Sequence, residues 1–204
     1  MQHKNKVLSR FCKKIYICKI GELMAKKLSE MSLEELWRLF TIFLTEHQDC
    51  WKSWYAEEKT ALEKIIPNAV INHIGSTAIN SIWAKPIIDI LVEVPKKCEL
   101  AAFKNLLAET GYICMSQSAA RLSFNKGYME NGFAEKVFHL HLRFIGDNDE
   151  LYFRDYLVEH PDIAREYEKL KLTLWKKFEH DRDGYTAAKS EFVQKYMNEA
   201  KAAK

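Results

Sequence analysis

No two of the five cysteines stand at CxxC spacing, and their odd number argues against a complete disulfide framework. Cys12, Cys18, Cys50, Cys98 and Cys114 are therefore read as reduced thiols of a cytoplasmic protein, small core or surface residues rather than nucleophiles. No run approaches the ~18 apolar residues of a membrane span, and no repeat or low-complexity segment is present. The opening MQHKNKVLSRFCKKIYICKIGEL is basic and then apolar, like a secretory signal. Lys13, Lys14 and Lys19 interrupt its apolar part and no small-residue cleavage site follows, so export is not expected. Surplus charge is lacking too. Residues 1–23 hold six of the 31 basic residues and one of the 28 acidic ones, which leaves 25 basic against 27 acidic in the rest, or −2. Such a body does not predict a basic groove, and nucleic acid is not the expected partner.

What is present suits one soluble domain. A hydrophobic share of 48% over 204 residues can bury a sizeable core. Met24 is a second candidate start, so residues 1–23 are read as a basic extension, disordered or not native, ahead of a single domain at 24–204 whose last part, 149–204, is helical. Ser32-Leu33-Glu34-Glu35 fits a capping box, and Leu33, Leu36, Trp37, Phe40, Phe43 and Leu44 follow at helical spacing, predicting a helix over 33–46. A second helix is expected over 51–66, ended by Pro67, with its tryptophans as core anchors. A third spans 99–109, closed by Gly111. Strands are expected over 112–115, 121–128 and 137–144, the last two joined through the Asn131-Gly132 turn. Helices at about 149–159, 162–179 and 184–200 complete the chain. Arg154, Arg165 and Lys171 belong by default to their solvated faces, although Arg154, Tyr185 and Lys189 are candidates to reach a phosphate.

Residues 69–94, AVINHIGSTAINSIWAKPIIDILVEV, organise the rest. Val70–Ile74 reads as a strand. Gly75, Ser76 and Thr77 then make a tight turn whose amides and hydroxyls suit an anion. Residues 77–84 are helix-compatible, and Pro86 pushes Lys85 toward extended backbone. The β-branched run 87–94 is a strand expected to be covered on both faces. Alternation puts Ile87, Asp89, Leu91 and Glu93 on one face. A buried carboxylate needs a partner, so Asp89 is either ion-paired, to Lys85 or an arginine, or part of a site. In VFHLHLRF the same alternation sets His139, His141 and Arg143 on one face and Phe138, Leu140, Leu142 and Phe144 on the other. Two histidines and an arginine on one strand face mark a second candidate site element.

HIGSTAINSIWAKPIIDILVEV, HLHLRF, YFRDYLVEHPDIAREYEKLK and GYTAAKSEF together closely resemble the GrpB family, a largely uncharacterised group in the nucleotidyltransferase superfamily. The resemblance covers about 25–204. It implies an α+β domain: a nucleotidyltransferase-like, mixed, largely antiparallel sheet flanked by helices, with a helical C-terminal part. Where family members usually carry Pro-Gly, this chain has Asn80-Ser81. The superfamily pattern is a Gly-Ser turn followed by a strand bearing two carboxylates two positions apart, with a third on another strand. Gly75, Ser76 and Asp89 match it, but the second position is Leu91. Glu93 lies ~13 Å further along the strand by its ~3.3 Å rise, too far to share an ion with Asp89. On the neighbouring strand stand His139 and His141.

The resemblance thus implies binding of a nucleotide or other phosphorylated small molecule. Gly75, Ser76, Thr77, Lys85, Arg143, Arg154, Tyr185 and Lys189 are the candidates for phosphate. Asp89, His139 and His141 are candidates for catalysis, either around a divalent metal (magnesium, manganese or zinc) or metal-free, with Asp89 orienting a histidine base. Nucleotidyl or phosphate-group transfer and a non-catalytic binding or protein-interaction module both remain open.

Overall fold

A computed structural model describes residues 26–203. The expectation for residues 1–23 lies outside these. A 3-10 turn, Leu28–Glu30, leads to α1, Leu33–Leu39, and α2 spans Cys50–Ile65. β1, Val70–Ile74, and a 3-10 turn, Ser76–Ala78, precede β2, Ile88–Val94. Then come a 3-10 turn at Leu100–Ala102, α3 (Phe103–Ala108), β3 (Ile113–Gln117), β4 (Arg121–Met129) and β5 (Gly132–Phe144). The end is helical: α4 Asp149–Glu159, α5 Pro161–Lys177, α6 Arg182–Ala187 and α7 Ser190–Ala202. No described helix is long and apolar enough to cross a membrane.

The five strands form one sheet in the order β1-β2-β5-β4-β3. Only the β2–β5 contact is parallel, so the sheet is mixed and largely antiparallel, as the resemblance implied. Alternation decides the layers. Ile88, Ile90, Val92 and Val94 of β2, with Phe138, Leu140 and Leu142 of β5, pack on Trp51, Leu62 and Ile66 of the α2 segment. The opposite face meets the C-terminal helices, where Ile79, Ile82, Leu157, Ala164 and Tyr167 form a smaller core. β2 is therefore covered on both sides, and Asp89 is the only member of it that is not buried.

Four expectations are corrected. α1 stops at Leu39, and the chain runs on extended, with Thr45 and Ala84 exchanging backbone hydrogen bonds of 2.9 and 3.0 Å. Phe40, Ile42 and Leu44 are buried there while Phe43 is 40% exposed. The apolar pattern has period two, and β-branched Thr41 and Ile42 suit that backbone. Residues 77–84 form a 3-10 turn and irregular turns, not a helix. The helix expected at 99–109 shrinks to a 3-10 turn and the short α3. The last helix is broken into α6 and α7 at Ala188-Lys189. Elsewhere Pro161 occupies the first turn of α5, where its missing N–H costs nothing.

Candidate functional site

The Gly75 turn connects β1 to the segment that enters β2, and it is built around Asp89. Gly75 has φ +72°, and a Cβ there would collide with Asp89 Oδ2. Glycine is required twice over, once by backbone conformation and once by space. The turn is then tied down by Thr77. Its hydroxyl donates to the Ile87 carbonyl at 3.2 Å and lies 3.0 Å from His73 Nε2. Because the hydroxyl has one proton, already given to Ile87, His73 Nε2 must be the donor, which fixes that tautomer. Burial, against a smaller opposing pull from Asp89, lowers the His73 pKa to about 4, so the ring is neutral. Thr77 lines the cleft with its hydroxyl spent on the turn, whereas Ser76 meets the Tyr167 hydroxyl.

In the parallel β2–β5 register Asp89 lies opposite His139, and Leu91 opposite His141. Asp89 Oδ1 is 3.3 Å from His139 Nδ1, and His139 Nε2 is 2.8 Å from the Tyr128 hydroxyl. Burial would raise the Asp89 pKa, but the hydrogen bond from His139, with His141 and Lys85 nearby, outweighs it and holds the pKa below the usual carboxylate value. Both His139 nitrogens are thus engaged by protein. His141 lines the cleft with its pKa lowered by burial, so its imidazole is neutral near pH 7 and can accept a hydrogen bond or a proton.

This arrangement does not fit the expected metal set. A histidine with one nitrogen on a carboxylate and the other on a hydroxyl has no lone pair for an ion. Leu91, where a second carboxylate would stand, is fully buried. Among the described residues, no three His, Cys, Asp or Glu side chains come together in a group that could hold a metal ion.

The cleft, about 350 Å³, is instead defined by lysines. Lys85 precedes Pro86, Lys171 reaches in from α5, and Lys189 stands at the break between α6 and α7. Among the described residues none of the three has an ion-pair partner. Burial, with Lys189 and Arg182 nearby, lowers Lys85 to about 7. Burial, with Lys189 and Lys85 nearby, lowers Lys171 to about 7. Burial lowers Lys189 to about 8 against the pull of Asp89. Lys85 and Lys189 lie 5.3 and 4.3 Å from the centre of the Tyr185 ring, whose own hydroxyl is buried without a hydrogen-bond partner. Lys171 also donates to the Trp83 carbonyl.

Of the residues expected from sequence, Gly75, Ser76, Thr77, Lys85, Asp89, His139, His141, Arg154, Tyr185 and Lys189 all line this cleft. Arg143 does not. Its guanidinium is neutralised by Glu150 at 2.7 Å, with Asp147 at 3.7 Å, and the cleft receives Glu150 in its place. Arg154 is largely spent as well, donating to the His73 carbonyl at 2.8 Å and to Asp155 at 2.6 and 2.8 Å. Lys171, expected on a solvated face, is 2% exposed. It was missed together with Tyr167: both stand, with Ala164 and Glu168, on the stripe of α5 that the fold buries, which the sequence pattern alone does not reveal. Charged residues on an otherwise buried stripe are candidates for a site.

Mixed sheet, Gly-Ser turn and C-terminal helices together define an α+β protein with a helical C-terminal part. Residues 41–199 match the model of the family described as GrpB protein. The chain belongs to the GrpB family. The glutamate-rich protein GrpB of Alkalihalophilus pseudofirmus is 39% identical over 78% of this chain and 95% of its own length. A UPF0157 protein of Pseudomonas aeruginosa is 34% identical over 75% of this chain and 65% of its own length. Among solved structures, the conserved protein GrpB from Enterococcus faecalis superposes with a TM-score of 0.68 at 31% identity, over 78% of this chain and 96% of that one. Cid1 poly(U) polymerase superposes with a TM-score of only 0.48 at 13% identity, over 76% of this chain and 51% of that one, too loosely to carry an argument about substrate.

Proposed function

We propose that the cleft binds a nucleotide or other phosphorylated small molecule, with its phosphates against Lys85, Lys171 and Lys189 and the Ser76 turn. The observation that carries this reading is the charge imbalance. Three lysines with no carboxylate partner among the described residues converge on one cavity, and the lining carboxylates are Asp89, engaged with His139, and Glu150, engaged with Arg143. Burying like charges together costs free energy that an anion would recover. A phosphate chain supplies several negative oxygens at the right density.

Chemistry at the bound phosphate would fall to the neutral His141, which can accept a proton from an attacking hydroxyl or water. Asp89 positions His139 and, with Tyr128, keeps its ring turned. A second reading, a non-catalytic ligand-binding module, is favoured by the buried Leu91 and the committed His139, which leave a two-metal transfer without its ligands. Titration of nucleoside triphosphates and inorganic tripolyphosphate into the protein by calorimetry tests the common part of both. Binding that weakens by about tenfold or more in Lys85→Met and Lys189→Met supports it. No binding to wild type, or equal binding by the variants, overturns it. Turnover of a bound triphosphate that is lost in His141→Gln would separate the enzyme from the module.

A further inference from the structure

A second, apolar chamber of about 110 Å³ opens beside the lysine cleft and shares Lys85 and Ile87 with it. Its walls include Phe40, Ile42, Phe43, Phe133 and Val137. The rings of Phe40 and Phe133 are 5.0 Å apart, and Phe43, 6.5 Å from Phe133, is 40% exposed. The wall's polar groups are largely used up. Thr41 Oγ1 donates to the Arg38 carbonyl, the Ile42 amide donates to the Glu179 carbonyl, and the Ile42 carbonyl accepts from Trp175 Nε1. Besides the shared Lys85, two charged groups line it, Glu135 and Arg182; neither has an ion-pair partner among the described residues, although Arg182 also donates to the Tyr128 hydroxyl. Arg182 lies 5.5 Å from the centre of the Tyr128 ring, the same Tyr128 that holds His139.

We infer that this chamber receives the base of a nucleotide whose phosphates occupy the lysine cleft. The inference rests on the phosphate-binding reading above and names its ligand class. Lys85 and Ile87 wall both spaces, which puts the two within reach of one ligand. A sugar in the chamber would set most of its hydroxyls against phenyl walls, beyond what Glu135 and Arg182 can answer, at the cost of unmade hydrogen bonds. A flat heteroaromatic ring buries its faces on phenylalanines and presents its edge to one acceptor, Glu135, and one donor, Arg182.

The test compares nucleoside triphosphates with inorganic tripolyphosphate, which has the same phosphate chain and no base, in wild type, Phe43→Ala and Ala134→Leu. Phe43 is partly exposed, so its truncation should leave the thermal midpoint near that of wild type. Ala134→Leu fills the chamber without removing a wall, and it keeps the test open if the first variant folds poorly. Wild type should bind at least one nucleotide about tenfold or more tighter than tripolyphosphate, and both variants should erase that difference while leaving tripolyphosphate affinity unchanged. Equal affinity for tripolyphosphate and every nucleotide, or a nucleotide preference that both variants keep, overturns the base chamber and leaves the phosphate cleft standing. Failure of wild type to bind either overturns the phosphate reading, and the base chamber with it.

Discussion

Lys126 and Lys85 lie on opposite faces of one sheet, both withdrawn from water, and their surroundings differ in kind. On the α2 side, Lys126 Nζ is 2.8 and 3.1 Å from the two oxygens of Glu58, and Glu58 also accepts from the Tyr112 hydroxyl at 3.0 Å. The two charges of that cluster answer each other. On the cleft side, Lys85 has Lys171 and Lys189 as company, and the nearest answering carboxylate, Asp89, is already held by His139. A paired, part-buried lysine fastens α2 to the sheet. Unpaired ones raise the free energy of the folded chain, and such a cost is tolerated where something else binds.

The largest expected effect breaks the paired side. Glu58→Ala leaves Lys126 and the Tyr112 hydroxyl unanswered and should cost about 2–3 kcal/mol of stability in a denaturant melt. Nucleotide affinity, measured on the still-folded variant, should stay unchanged. Next comes Gly75→Ala, which forces an L-residue into φ +72° and drives its methyl against Asp89 Oδ2. The strain should cost about 1–3 kcal/mol, and ligand affinity should fall because Asp89 and the turn move together. A variant as stable as wild type would mean that the turn relaxes and that Asp89 is not its support.

A smaller effect, of opposite sign, is expected on the unpaired side. In the unfolded chain Lys85 keeps its proton up to its ordinary 10.5, whereas in the fold it releases it near 7. Between those values the unfolded chain holds more protons, so the lysine's cost to folding is greatest at low pH and fades as pH rises. Lys85→Met should therefore stabilise the ligand-free protein, by on the order of 1 kcal/mol at pH 6 and by less at pH 9. The signature is in the melting curves, where a stabilisation that does not shrink with pH would argue that Lys85 is charged and satisfied in the fold.

Part of the cleft side of this contrast was legible in the sequence, because strand alternation is strict. Asp89, His139 and His141 fell on one face as expected, since a one-residue slip would have put Ile88 and Leu140 there instead. The Gly75 turn was legible for a related reason: the glycine marked a conformation that few other residues adopt. Helix faces were harder. Arg143 had the correct strand face but was claimed by Glu150, which lies seven residues on and becomes its neighbour only after α4 folds back. Lys171 looked like an ordinary solvated lysine because single-sequence patterning does not say what covers a helix. The chain at 40–44 read as helix because Phe40, Phe43 and Leu44 fit that period, while tertiary contacts hold it extended: the Ile42 backbone bonds to Glu179 and Trp175, and Phe40 packs on Tyr128 and Phe133.

Proton counting tests the central claim most directly. Near pH 8, Lys85 and Lys171 stand above their pKa values of about 7 and are largely neutral, and a phosphate chain placed against them should restore their charge. Calorimetric titration of a nucleoside triphosphate at pH 8, repeated in buffers of different ionisation enthalpy, should show net proton uptake by the protein, roughly one to two protons per ligand, and Lys85→Met should reduce it. Binding without proton uptake, or uptake that Lys85→Met leaves intact, would contradict the assignment of the lysine cleft as the phosphate site.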